Sequence, residues 1–243
     1  EITSGEEINV TVPTGNFGNI LAAYYAKQMG VPIGKLICAS NENKVLFDFF
    51  QTGVYNKNRE FILTSSPSMD ILISSNLERL IYTIAGQDAE KNSQLMSQLK
   101  EKGSYEITPD MREKLKDFAG GFATEAETAE TIRRTYERTG YVMDTHTAVA
   151  AGVCAKYRAE HNDGRKYLVA STASPYKFIH SVMTAIDEKY ADTDEFELVD
   201  ELSRISGTEI PKAIEEIRNA DIRHRRECGA DQMKETVKEI LGV

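Results

Sequence analysis

A β-branched run, a loop with two glycines and an uncharged helical stretch follow one another at residues 8–29. This succession restricts the fold more than any other feature of the chain. Residues 8–12 (Ile-Asn-Val-Thr-Val) alternate in polarity and predict a strand. Residues 13–19 (Pro-Thr-Gly-Asn-Phe-Gly-Asn) predict a turn, and residues 20–29 a helix closed by Gly30 and followed by Pro32. A second buried strand is expected at 35–39 and a helix at 44–52 stopped by Gly53. A third strand is expected at 61–64, and a helix at 71–84. Strand alternating with helix is the pattern of a parallel sheet covered on both faces, so the expected class is α/β.

The composition changes after Gly86. Residues 87–102, 109–118 and 125–139 are polar, charged and helical in character. We expect an α/β cofactor-phosphate-binding part at 1–86, a helical insertion at 87–140, the rest of the α/β core at 141–191 and a helical tail at 192–243. Within the third part, an Ala-rich helix is expected at 145–157 and a short buried strand at 167–170. A polar loop at 171–175 and a helix running to about residue 189 follow.

The net charge of −9 argues against a nucleic-acid partner, because an acidic surface gains nothing from a phosphate backbone. A small anion can still bind where local donors decide. Cys38, Cys154 and Cys228 are far apart and the four histidines are scattered, so no metal site is expected and a reduced cytoplasmic protein is. Residues 8–26 lack charge but contain Asn9, Pro13, Gly15, Asn16, Gly18 and Asn19, which excludes a membrane span there. Glu1, Glu6 and Glu7 stand where a secretory leader would be basic, and we expect the start to be a fragment boundary.

The glycine loop carries the chemistry. Glycines let the backbone turn and approach a ligand closely, and Gly18 is expected at positive φ. The helix that follows offers free amide N–H groups and the positive end of its dipole, where a phosphate fits without a lysine. A plain strand-to-helix turn is the alternative. A P-loop is excluded because Asn19-Ile20 replaces the Lys-Ser/Thr pair. A dinucleotide fingerprint lacks its third glycine, although Glu42 stands at a spacing suited to a ribose contact.

Residues 12–22 (Val-Pro-Thr-Gly-Asn-Phe-Gly-Asn-Ile-Leu-Ala) resemble the cofactor-phosphate loop of threonine synthases. Residues 66–79 (Ser-Pro-Ser-Met-Asp-Ile-Leu-Ile-Ser-Ser-Asn-Leu-Glu-Arg) and 171–178 (Ser-Thr-Ala-Ser-Pro-Tyr-Lys-Phe) resemble the same family, in the family's order. So does the run 144–149, except that Thr145 stands where many members have proline. The resemblance covers nearly the whole chain and points to the C-terminal part of a fold-type II pyridoxal-phosphate enzyme.

The resemblance implies conversion of O-phospho-L-homoserine and water to L-threonine and phosphate, with pyridoxal 5'-phosphate as an electron sink. Gly15, Asn16, Phe17, Gly18 and Asn19 would cradle the cofactor phosphate. Thr172 would face the pyridine nitrogen, as a hydroxyl that donates to a neutral nitrogen and cannot hold a ring proton. Asn76 and Arg79, three apart on a helix start, and Ser68 would bind the substrate phosphate. For Thr172 the bland alternative is a local turn, for Arg79 an exposed ion pair, and for Ser68 a helix cap. His146 and Lys177 are expected to be structural and solvated, outside the site. The lysine that anchors the cofactor lies in a Phe-Lys-Asp motif upstream in the family and has no counterpart here, so no catalytic residue is expected in this chain. The missing N-terminal part of the same protein is its expected partner, and the fragment alone is expected to be inactive. A non-catalytic phosphate-binding module and another pyridoxal-phosphate lyase remain as alternatives.

Overall fold

The computed structural model describes residues 2–243. Strand β1 (Ile8–Pro13) turns through residues 14–17 into helix α1 (Gly18–Gln28) and returns as β2 (Ile33–Ser40), parallel to β1. Helix α2 (Val45–Thr52) ends at Gly53, which takes the left-handed conformation (φ 78°). Then come β3 (Val54–Asn56), α3 (Leu77–Ile84), α4 (Ala89–Lys102), β4 (Ser104–Glu106) and the short α5 (Pro109–Glu113). Strand β5 (Phe118–Phe122), α6 (Glu125–Thr139), α7 (Thr145–His161) and β6 (Lys166–Val169) complete the sheet layer. A 3₁₀ turn at Pro175–Phe178 leads into α8 (Ile179–Ile186), and α9 (Glu195–Ser206), α10 (Lys212–Arg218) and α11 (Met233–Leu241) follow.

The main sheet has the order β5-β2-β1-β6 and all its pairs are parallel; β3 and β4 form a separate antiparallel pair. Successive residues of a strand point to opposite faces, and both faces of β2 are dry. Leu36 and Cys38 join Val10, Val12, Leu21, Tyr24 and Leu46 in one core. Ile37 and Ala39 join Met69, Val149, Ala150 and Val153 of the α7 side in the other. The class is therefore α/β, a parallel sheet flanked by helices.

The structure departs from the sequence expectation at three places. Residues 61–64 are irregular, with Phe61 and Leu63 exposed, and not a strand. Asn43 replaces the missing neighbour strand: its Nδ2 donates to Ile62 O (2.7 Å) and its Oδ1 accepts from Ile62 N (3.0 Å). The helix expected at 71–84 is confined to α3, because residues 71–76 run instead as a strap over the glycine loop. The segment 87–140, expected to be helical, contains β4, which pairs with β3, and β5, which pairs with β2 in the main sheet. The chain divides into two compact units, Glu1–Glu209 and Ile210–Val243. Helices α10 and α11 of the second unit bury no residue.

Candidate functional site

The strand order places the site. The chain runs outward from β1 through β2 to β5, then returns and adds β6 on the other side of β1. Loops leaving β1 and β6 therefore diverge at the carboxyl ends of neighbouring parallel strands, and ligands of open α/β sheets occupy that crevice. Thr11 pairs with Val169, and Ala170 N–H donates to Thr11 O (2.9 Å). This brings residues 14–17 and 171–174 side by side.

A cavity of about 310 Å³ lies between these loops. Gly15, Asn16, Phe17, Gly18, Asn19, Ser68, Asn76 and Thr172 line it, eight of the nine residues singled out in the sequence. Arg79 does not line it and reaches it only through Asn76, with Nη1 donating to Asn76 Oδ1 (2.6 Å). Lys177 and His146, expected to stand apart from the site, are on the wall. The wall has no carboxylate, and Lys177 is its one formally charged side chain among the described residues. Lys177 Nζ lies 5.2 Å from the Phe178 ring centroid.

The loop conformation also differs from expectation. Neither Gly15 nor Gly18 needs positive φ; the left-handed residue is Phe17, at φ 63°. A bulky residue in that region is strained. Phe17 is held there because its ring is buried against Phe50 (centroids 6.1 Å) and Phe118 (5.9 Å). Gly15 is required for a different reason. A Cβ on it would sit 2.5 Å from Ser68 O, whereas one on Gly18 would meet only Asn76 Nδ2, at 3.7 Å.

The loop's carbonyls are tied back. Ser74 Oγ donates to Gly15 O (2.7 Å), and Asn76 donates to Asn16 O through Nδ2 (2.7 Å) and N–H (3.1 Å). Ser74 is set in turn by Tyr55, whose hydroxyl accepts from Ser74 N–H (2.8 Å) and donates to Leu72 O (3.0 Å). Burial pushes the Tyr55 hydroxyl up to about 12, so it stays protonated as that donor. The first turn of α1, which has no side-chain cap to take up its free amides, lines the cavity. A helix N-terminus without a side-chain cap, one ammonium and no carboxylate suit an anion.

Behind the opposite wall, Asp144 caps α7 and accepts from His146 N–H (2.8 Å) and Thr147 N–H (3.2 Å), and from the Thr147 hydroxyl. Burial pushes the Asp144 carboxyl up, but the hydrogen bonds from the His146 and Thr147 side chains and backbones outweigh it and hold the group below the usual range. The Thr147 hydroxyl also touches Ser171 Oγ (3.1 Å), which anchors the Thr172 loop. Glu42, the residue considered for a ribose contact, caps the start of α6 by accepting from Glu125 N–H (3.2 Å). A dinucleotide site has no support from it. A wider groove of about 630 Å³ runs along α7 and β6 and contains none of the residues singled out in the sequence.

The sequence and the fold have known counterparts. Residues 147–228 match the family model of the threonine synthase C-terminal region. Threonine synthase of Saccharomyces cerevisiae is 37% identical over 244 residues, which cover 91% of this chain and 46% of that protein. A crystal structure of yeast threonine synthase matches with a TM-score of 0.82 over 97% of this chain and 48% of its own, at 31% identity. The chain is similar to the C-terminal part of threonine synthases. The pyridoxal-phosphate-bound threonine synthase of Brucella melitensis matches at 40% identity and a TM-score of 0.70, over 74% of this chain and 38% of that one. Threonine synthase-like 1 of Macaca fascicularis is 44% identical over 190 residues, 77% of this chain and 25% of that protein. The chain thus spans between a quarter and about half the length of these threonine synthase relatives.

Proposed function

We propose that the cavity holds the phosphate group of pyridoxal 5'-phosphate and that the chain contributes the cofactor-phosphate half of a threonine synthase site. The observation that carries this is the open first turn of α1, set by the Gly15 corner and faced across the crevice by Thr172. In this proposal the amides of residues 15–19 hold the phosphate, and Thr172 donates to the cofactor's ring nitrogen. When bound, the cofactor supplies an electron sink that stabilises carbanions beside it. A hydroxyl partner leaves the ring nitrogen neutral and makes that sink milder than a carboxylate would.

Ser68, Asn76 and Arg79 take the phosphate of O-phospho-L-homoserine in the same proposal. Asn76 then has a second duty, since its amide already fastens Asn16 O to the strap. Arg79 orients it from the α3 side. The full reaction is the conversion of O-phospho-L-homoserine and water to L-threonine and phosphate. No Phe-Lys-Asp motif occurs in the 243 residues. We therefore assign the anchoring lysine, and the proton it moves, to residues outside this sequence. The 243 residues alone are expected to release no phosphate from O-phosphohomoserine; release above a Gly15→Val control would overturn that assignment.

The test of the cradle is a titration followed by amide shifts. Pyridoxal 5'-phosphate and inorganic phosphate should both move the signals of residues 15–19, and pyridoxal without its phosphate should not. Equal response to pyridoxal, or largest shifts on α6 around Arg133 and Arg134, would reject the phosphate cradle.

A further inference from the structure

His146 lines the cavity, and Asp144 stands behind it. Both residues are buried, at 3% and 1% exposure, and both lie at the start of α7. His146 Nδ1 is 3.3 Å from Asp144 Oδ1 and 3.4 Å from Thr145 Oγ1. Its Nε2 receives the Ser68 N–H at 3.2 Å. A nitrogen that accepts a backbone N–H carries no proton, so the ring proton is on Nδ1, facing the carboxylate. The Phe178 ring packs against the imidazole, at a centroid distance of 4.7 Å and tilted by 43°.

The next peptide along the turn, which carries the Ser68 carbonyl, meets the glycine loop. Its carbonyl oxygen occupies the space that a Cβ of Gly15 would need, 2.5 Å from that position. Ser68 belongs to a three-residue 3₁₀ turn, Pro67–Met69, whose own bonds are Met69 N–H to Ser66 O and Asp70 N–H to Pro67 O. Neither bond uses the Ser68 N–H, which is left for an acceptor outside the turn, and His146 Nε2 supplies it.

We propose that His146 is a positioning residue: as the Nδ1–H tautomer held by Asp144, it carries the Ser68 peptide through Nε2 and so seats the Pro67–Met69 turn on Gly15. The inference deepens the anion-cradle reading, because the seated turn closes one side of the corner in which the phosphate is to lie. It also gives Thr145 a part, since this hydroxyl can accompany Asp144 at Nδ1 where a proline could not.

Three measurements on the 243-residue chain test it. The first uses the unmodified protein: a long-range proton–nitrogen spectrum of the His146 ring should show a protonated Nδ1 and a bare Nε2. A protonated Nε2 overturns the proposal whether or not any variant folds. The second compares His146→Gln with His146→Asn. The Gln amide reaches the Nε2 position and can accept from Ser68, whereas the Asn amide reaches only the Nδ1 position. Exchange of the Ser68 amide should stay near the unmodified rate in the Gln variant and rise about fivefold to tenfold in the Asn variant, the loss of one hydrogen bond. The third is inorganic phosphate titration, in which the Asn variant should bind more weakly by a similar factor and the Gln variant should recover most of that loss. Equal behaviour of the two variants, or weaker phosphate binding with unchanged Ser68 exchange, overturns the proposal. If phosphate leaves residues 15–19 of the unmodified chain unmoved, the cradle fails while the Ser68 exchange still decides the role of His146.

Discussion

At the scale of single residues, the two glycines of the loop are not equivalent. Alanine at position 15 drives a methyl group into the Ser68 carbonyl, backbone against backbone, with no flexible end to yield. Gly15→Ala should lower stability by about 1–3 kcal/mol in urea unfolding and weaken phosphate binding with it. Gly18→Ala places its methyl in ordinary contact and should stay within about 0.5 kcal/mol of the parent. Equal losses from the two would show that the corner against Ser68 is not the constraint. Phe17 is legible in the sequence as part of the motif, but its left-handed backbone is not. The ring must be buried against Phe50 and Phe118, from α2 and β5, before that conformation is worth its strain. Phe17→Ala should therefore cost about 3–5 kcal/mol, measured by the same unfolding curve.

At the scale of elements, the strap at 71–76 and the first turn of α3 act as one part. Arg79 holds Asn76, and Asn76 holds Asn16. In a complete enzyme, Arg79→Ala should weaken binding of the substrate phosphate by about 2–4 kcal/mol if the contact is desolvated, and cofactor binding much less. An equal loss of cofactor affinity would place Arg79 at the other phosphate. A second element-level device lies on α9. Arg204 and the Tyr190 hydroxyl, in that order, hold the Glu201 carboxyl down to about 2. A carboxyl depressed on folding adds stability above its ordinary value of 4.5 and loses it as the pH falls toward 2. Arg204 is exposed, so the contribution is below about 1 kcal/mol. Glu201→Gln should lower the melting temperature slightly at neutral pH, converge with the parent near pH 2, and so flatten the fall between pH 4.5 and 2.

For the whole molecule, the unit Glu1–Glu209 contains the sheet and both of its cores, while Ile210–Val243 has helices without buried residues. Helices this short are marginal in water unless an apolar face is packed. Amides of α10 and α11 should exchange orders of magnitude faster than those of β1 and β2, read by hydrogen exchange and mass spectrometry. Uniform protection across both units would reject this division of stability.

The strand–loop–helix succession and the α/β class were legible because they depend on local pattern: β1 alternates and α1 is bounded by glycines. Of the residues around the cavity, the glycine loop could be read from that pattern, while Ser68, Asn76 and Thr172 rested on the family resemblance of residues 66–79 and 171–178. Tertiary structure decided the rest, because the deciding partners are distant in the chain. Residues 61–64 carry strand-like side chains, but Asn43 satisfies their backbone in place of a neighbour strand. Residues 118–122 look like the end of a helical region, yet they complete the sheet because β2 has an open edge for them. His146 and Lys177 look like a cap and a surface lysine until the pairing of β1 with β6 brings their loops to one crevice. Which nitrogen of His146 meets Ser68, 78 positions away, is set by that closure and by no local signal.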